Sequence, residues 1–219
     1  MSNQKELIMG YTGPKVTGKH FLEQMEVMRA IGITPMIDVY LDNTGTLVVR
    51  NCDLMVIKVK DVLTDLVSVN KNIQPAFRLS YICDGDGASG CVKKIDETMS
   101  DLGLKYKIFT VDRDVIEYIN EFFEVEVGLI LEGLVDEMRN PLWDLKDRGY
   151  SHVAVEYCHP LHERILDLAN NARELSDGKV RTWGFTTAEM VDSCKPLIAK
   201  EMGVITPIPN KVCECLNLS

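Results

Sequence analysis

The sequence predicts an α/β fold with a mostly parallel central sheet, and three observations predict it. Apolar, β-branched runs alternate with helix-patterned segments at least four times along the 219 residues, the order that builds parallel sheets. One of those runs ends in a glycine-rich turn that passes straight into a helix. Apolar residues make up 46% of the chain against 26% charged, a globular balance that supplies a core and argues against disorder. The length suits a single α/β domain over 1–219. Residues 1–75 read either as the first β-α-β layer of its sheet or as a small hairpin-containing subdomain beside a cofactor-binding core at 76–219.

Glu6 to Tyr11 reads as the opening strand. The loop after it, from Thr12 to His20, nearly matches G-x-x-x-x-G-K-S/T, with Gly13, Gly18 and Lys19 in place. His20 stands where a hydroxyl would hold Mg²⁺, so nucleotide triphosphate hydrolysis is disfavoured. What remains is an anion-binding helix start at Lys15, Gly18 and Lys19, or a plain loop. Phe21, Met25, Met28 and Ile31 give the following helix its apolar face, and Gly32 ends it. Thr34 to Leu41 reads as a strand and Asp42 to Thr46 as the turn of a hairpin whose second arm runs through Val49. The letters Asp-Asn-Thr-Gly-Thr-Leu resemble the aspartate-nucleophile loop of the haloacid dehalogenase family, except that Thr44 replaces its second aspartate. Leu54 to Val59 is then a strand and Asp61 to Val69 a short helix.

Residues 77 to 112 carry the strongest pattern. Phe-Arg-Leu-Ser-Tyr-Ile-Cys runs into Asp84, Gly85, Asp86, Gly87, Ser89 and Gly90, with the glycines at G-x-G-x-x-G spacing, and a helical run follows from Cys91 to Leu102. In such a turn the first glycine permits the bend, the second lets backbone approach a ligand and the third lets helix and strand pack closely. The next strand, Lys105 to Val111, ends at Asp112, which lies 22 residues past Gly90, where an acid commonly grips a ribose hydroxyl. This stretch resembles the fingerprint of the Rossmann-type nucleotide-cofactor-binding superfamily, over about 36 of 219 residues. The resemblance implies a Rossmann-like three-layer fold with the N-terminal β-α-β or hairpin portion added to it. A plain strand-to-helix connection, with Asp84 and Asp86 bonding their own backbone, is the alternative.

The loop's two carboxylates select among cofactors. Asp84 and Asp86 would repel a doubly negative pyrophosphate, whereas S-adenosylmethionine has no phosphate and carries a sulfonium and an ammonium. The methyltransferase form of the loop resembles Asp/Glu-x-Gly-x-Gly-x-Gly, and this chain has Cys83 at the acid position and Ser89 at the third glycine. The preferred expectation is an S-adenosylmethionine-dependent methyltransferase acting on a small molecule, held by Gly85 to Gly90 and Asp112. An NAD(P)-dependent oxidoreductase using the same pocket is the alternative. A non-catalytic ligand-binding or regulatory module is a third reading.

Beyond Asp112, Ile116, Ile119 and Phe122 mark a helix, and Leu129 to Leu145 reads as a second helical stretch interrupted near Pro141. The acids from Glu121 to Glu137, Glu126 among them, read as a solvated face. Ser151 to Glu156 is a strand whose carboxyl end carries Glu156, Tyr157, Cys158, His159, His162 and Glu163, and ligands gather outside such ends in open α/β sheets. His159, Tyr157 and Glu156 are therefore the catalytic candidates, with histidine suited to general-base work near neutral pH. Cys158, His159 and His162 also form a candidate zinc set, with the Cys213 and Cys215 tail as a further source of ligands, but their spacing matches no standard finger. Lys179 to Phe185 is a last clear strand. Thr186 and Glu189 form a capping box, Gly203 stops the helix, and Val204 to Pro209 is an extended edge.

Net charge of -9 weighs against nucleic acid as the main partner, because phosphate binding needs a basic face. No run approaches a membrane span and no signal-peptide pattern opens the chain, so a cytoplasmic location is expected. Seven cysteines without paired spacing read as free thiols. The helices between 113 and 145 would suit either a homodimer face or a core.

Overall fold

The computed structural model describes residues 4–13, 15–79, 86–131, 149–156, 167, 170–171, 173–174, 180–186, 191–192 and 194–218. Its strands are β1 (Ile8–Tyr11), β2 (Thr34–Leu41), β3 (Leu47–Val49), β4 (Ala76–Leu79), β5 (Lys107–Thr110), β6 (Glu126–Leu131), β7 (His152–Glu156), β8 (Arg181–Phe185) and β9 (Gly203–Thr206). The described helices are α1 (Gly18–Ile31), α2 (Val59–Val69), α3 (Asp86–Leu102), α4 (Arg113–Phe122), α5 (Cys194–Ala199) and α6 (Pro209–Cys215).

All strands except β3 run parallel, and the sheet closes. β1 pairs with β2 on one edge, Met9 opposite Thr34, and with β9 on the other, Ile8 opposite Val204. Around the ring the order is β1, β2, β4, β5, β6, β7, β8, β9, an eight-stranded β/α barrel. β3 lies antiparallel on β2, forming the hairpin that the Asp42 to Thr46 turn predicts. Val39 pairs with Leu79 of β4 and with Val49 of β3, so β3 must lie on the β1 edge of β2.

Alternation along each strand divides the core into two compartments. Met9, Met36, Ala76, Phe109, Ile130, Ala154, Trp183 and Ile205, one from each barrel strand, fill the interior. The opposite faces, with Ile8, Ile37, Phe77 and Ile108, pack outward against helix residues such as Phe21, Met28, Leu63 and Ile95. Trp183 and Phe109 fit inside because the chain supplies glycine beside them. A Cβ at Gly203 would sit 2.0 Å from Trp183, and one at Gly128 would sit 2.3 Å from Phe109.

The closed barrel corrects the expected Rossmann-like three-layer fold. A Rossmann sheet is open and binds its cofactor in the crevice where strand order reverses; a closed ring has no such reversal. Sequence from 1–75 and 76–219 contributes strands to one ring. Local differences follow from the same closure. Val204 to Thr206 belongs to β9, which is flanked by β1 and β8 and is no edge. Glu126 to Leu131 is strand rather than the start of the helix expected from Leu129, because a short apolar run buried on both faces has no period to distinguish the two. Leu54 to Val56 forms no strand: Leu54 has φ 55° and both it and Val56 are exposed. Among the described residues no helix is long and apolar enough to cross a membrane.

Candidate functional site at the barrel mouth

In β/α barrels, ligands bind at the carboxyl ends of the strands. Moving two residues from the apolar interior ring toward that end keeps a side chain on the interior face. The step from Met9 leads to Tyr11, from Met36 to Asp38, from Ala76 to Arg78 and from Trp183 to Phe185. Asp38 and Arg78 are direct register partners across β2 and β4.

These four residues form one assembly. The Tyr11 hydroxyl donates to Asp38 Oδ2 at 2.7 Å and accepts a short hydrogen bond from Arg78 Nη1. Arg78 Nε lies 3.9 Å from Asp38 Oδ1, and the Asp38 side chain is fully buried whereas that of Arg78 keeps 18% of its surface open. The guanidinium carbon stands 5.6 Å from the Tyr11 ring centroid and 5.9 Å from that of Phe185, within cation–π range of both. Those two rings meet edge to face at 5.6 Å. Burial and the neighbouring Asp38 carboxylate push the Tyr11 hydroxyl well above its ordinary range, so it stays protonated and acts as a donor. One residue beyond Tyr11, the Thr12 hydroxyl is buried and has no hydrogen-bond partner among the described residues.

The assembly offers a fixed guanidinium, planar and permanently charged, at the open end of an apolar barrel. That is a group suited to a phosphate or carboxylate. Among the described residues no cluster of three or more His, Cys, Asp or Glu could hold a metal ion.

The opposite end of the barrel is polar for a different reason. Lys107, Glu126, His152 and Arg181 each open their strand. Trp183 Nε1 donates to His152 Nδ1 at 3.1 Å, which leaves Nε2 to carry the proton that bonds Glu126 Oε2 at 2.7 Å. Lys107 Nζ lies 3.6 Å from the same carboxylate. The His152 hydrogen bond holds the Glu126 carboxyl down to about 2, helped by Lys107 and opposed by burial. Burial also lowers His152. This network closes the barrel floor.

The expected cofactor residues are dispersed into ordinary structural work. Gly87, Ser89 and Gly90 lie inside α3, so they are helical residues and not a phosphate-sized turn; Asp86 is the first residue of that helix. A Cβ at Gly87 would meet nothing within 4 Å. Asp84 and Gly85 lie outside the described residues. Asp112 is the N-cap of α4, its carboxylate accepting from Asp114 N at 2.9 Å. At the expected anion site, Asp53 Oδ1 accepts from Gly18 N at 2.8 Å and Thr17 Oγ1 from His20 N at 3.2 Å, so the chain's own groups cap α1. Lys15 and Lys19 are exposed, Lys19 facing Glu23 at 3.9 Å. A Cβ at Gly18 would strike the Met55 side chain at 2.6 Å, which gives that glycine a packing role. Glu156 is the last residue of β7, opposite Phe185 in register. Tyr157, Cys158, His159 and His162 lie outside the described residues. Cys213 is buried on α6, and burial pushes its thiol up.

The fold and the mouth define a β/α-barrel protein of the kind that builds ligand sites on its strand ends. No family model matches the sequence, and no curated protein does. Solved structures do. A glycerophosphodiester phosphodiesterase from Parabacteroides distasonis aligns with TM-score 0.73 at 15% identity, over 96% of each chain. An Oleispira antarctica phosphodiesterase, in complex with the product sn-glycerol-3-phosphate, aligns with TM-score 0.71 at 9% identity, again over 96% of each. An aldolase called QR15 aligns with TM-score 0.63 at 11% identity, over 99% of this chain and 97% of its own. At these identities the likeness establishes the barrel.

The likeness overturns the methyltransferase and oxidoreductase readings together with their cofactors, S-adenosylmethionine and NAD or NADP. Both required an open Rossmann crevice, a glycine turn and a ribose-binding Asp112. The chain has a closed barrel, with the described part of the glycine motif in α3 and Asp112 on a helix cap.

Proposed function

We propose that the protein is a hydrolase of small phosphodiesters of the glycerophosphodiester type, acting at the carboxyl mouth of the barrel. The observation that carries this reading is Arg78: a guanidinium oriented by Asp38 and Tyr11, flanked by two aromatic rings, with part of its surface open. Likeness to barrels described as phosphodiesterases, one of them with sn-glycerol-3-phosphate bound, supports the choice of phosphate over carboxylate.

In the reaction, water adds to phosphorus, the bond from phosphorus to the leaving alcohol's oxygen breaks, and a proton passes from the water to that alkoxide. Arg78 holds a non-bridging phosphate oxygen and offsets charge as the transition state forms. Tyr11 keeps the guanidinium in place. The proton carrier we assign is His159, with Glu156 and Tyr157 beside it in sequence; the support for this group is that β7 ends at Glu156, on the mouth side.

The test is an assay for free sn-glycerol 3-phosphate after incubation with glycerophosphodiesters carrying different alcohols. Release by the wild-type chain, reduced at least about a hundredfold in His159→Ala, is expected for loss of a general acid–base group. Absence of release across the series would sink the hydrolase reading.

A further inference from the structure

Among the described residues six large apolar side chains are exposed, and four of them, Leu22, Leu54, Met55 and Val56, belong to one patch on the outside of the barrel. Leu22 lies on α1, and the other three lie on the segment that joins β3 to α2. Leu22, Met55 and Val56 line a groove of about 590 Å³ between α1 and α2, with the buried Met25, Val62 and Leu66 beneath them. Leu54, next in the chain to Met55, is 79% exposed. A contiguous apolar patch rimmed by charge marks an interaction site.

Hydrogen bonds hold this segment in place. The buried Asn51 donates through Nδ2 to the Met55 carbonyl at 2.7 Å and accepts through Oδ1 from Met55 N at 2.9 Å. Cys52 N donates to the Val16 carbonyl at 2.9 Å, and Asp53 accepts from Gly18 N at the start of α1. Between these anchors Leu54 takes φ 55°, a conformation that costs any residue with a Cβ, and burial within the chain does not offset it. Glycine or asparagine would serve the turn alone better.

The charges around the groove identify its occupant. α1 and α2 run in the same direction, because each returns the chain to the start of the next barrel strand, β2 or β4. Each carries a lysine at its start and an acid seven residues, or two turns, later: Lys19 and Glu26 on α1, Lys58 and Asp65 on α2. A second copy turned about a two-fold axis midway along the groove presents the same rows reversed. Each lysine then meets the other copy's acid, and each Leu54 segment comes over the acid end of the other copy's groove. In the single chain Lys19 faces Glu23 at 3.9 Å and Glu26 faces Arg29 at 3.3 Å. These are exposed pairs within one helix, worth little, and they yield to contacts across an interface. Asp61 falls near the axis, one turn from Lys58.

We propose that this face, made of α1, α2 and the segment from Leu54 to Val56, is where two copies of the chain bind each other as a symmetric dimer. Such an isologous contact needs a surface complementary to itself, and here an apolar projection stands beside an apolar groove with both signs of charge on its rim. α4, by contrast, exposes a single large apolar side chain, Phe122.

Sedimentation velocity of the full-length chain between about 1 and 100 μM reads the assembly directly, and a species of twice 24.7 kDa is expected. Leu54→Asn removes the apolar contact and suits the left-handed backbone, so it should melt no lower than the wild type yet weaken self-association at least about tenfold. Asp65→Lys sets two lysines against each other across the axis and should weaken it by a similar factor. The exchange Lys58→Glu, Asp65→Lys restores opposite charges there and should recover the wild-type Kd to within about threefold. A wild-type chain that sediments as a monomer throughout overturns the proposal and gives the patch to a different partner. A dimer that neither Leu54→Asn nor Asp65→Lys weakens overturns it too, since its interface then lies elsewhere. Failure of the exchange to recover what Asp65→Lys loses overturns the two-fold pairing of the helices.

Discussion

At the scale of single residues, the site rests on charged groups placed where an apolar side chain would pack. Asp38 interrupts Met-Ile-Asp-Val in β2 and Arg78 interrupts Ala-Phe-Arg-Leu in β4. A charge inside a strand buried on both faces needs a partner, and each is the other's. That interruption is a signal in the sequence, legible without any motif, and it lies a few residues before the glycine pattern. Tyr11 is the third member, and its hydroxyl is bonded to both charges. Hydrogen bonds to charged groups contribute about 1.5–3 kcal/mol. Tyr11→Phe should therefore lower unfolding free energy by about 2 kcal/mol in urea titrations, with the ring packing against Phe185 retained. A change below a few tenths of a kcal/mol would mean that Asp38 and Arg78 hold each other without the hydroxyl.

At the scale of elements, most described strands and helices, though not α6, were foreshadowed by their own pattern, with the same bounds for β2 and within two residues for α2. Those segments carry clear periods and stops, such as Gly32, which ends α1 in a left-handed conformation at φ 70°. The failures, Leu54 to Val56 and Leu129 to Leu131, were short apolar runs without periodicity, where strand and helix look alike; the rest of the helix expected over 129–145 lies outside the described residues. The glycine motif is the instructive case. In both a Rossmann sheet and a β/α barrel a strand feeds a helix through a short turn, so β4, α3 and β5 satisfy the pattern in either fold. Position decides the matter: Gly87 lies in α3, exposed, with open space around an added Cβ. Gly87→Ala should raise stability by about 0.5–1 kcal/mol through reduced freedom of the unfolded chain. A cofactor-binding turn would have made the same substitution harmful to ligand binding, so thermal melts and phosphate-ester titrations of this variant together separate the two readings.

At the scale of the whole molecule, closure of the sheet was not legible, because it depends on β1 meeting β9 across almost the full length of the chain. No local pattern encodes that pairing; only the number of strands and the both-sided burial of each one hint at it. Closure also brings the first residues of β5, β6, β7 and β8 to one floor, where Lys107, Glu126, His152 and Arg181 meet, and this makes stability depend on pH. Burial lowers His152, so on acidification the unfolded chain takes up that proton near pH 6.5 while the folded chain resists it. Lys107 and Arg181 oppose the imidazolium and Glu126 favours it, but burial dominates. Glu126 acts in the same direction over a lower range: its folded carboxyl is held at about 2 against an ordinary 4.5, so the stability it contributes is present above 4.5 and is lost as pH falls toward 2. Unfolding free energy should therefore be level between about pH 7 and 8 and decline on acidification in two stages, below about 6.5 and again below about 4.5. His152→Gln removes the titrating imidazole, so the first stage should vanish from its urea titrations. If the decline between about pH 7 and 5 persists in that variant, the histidine under the barrel is not its source, and other groups must be taking up the proton.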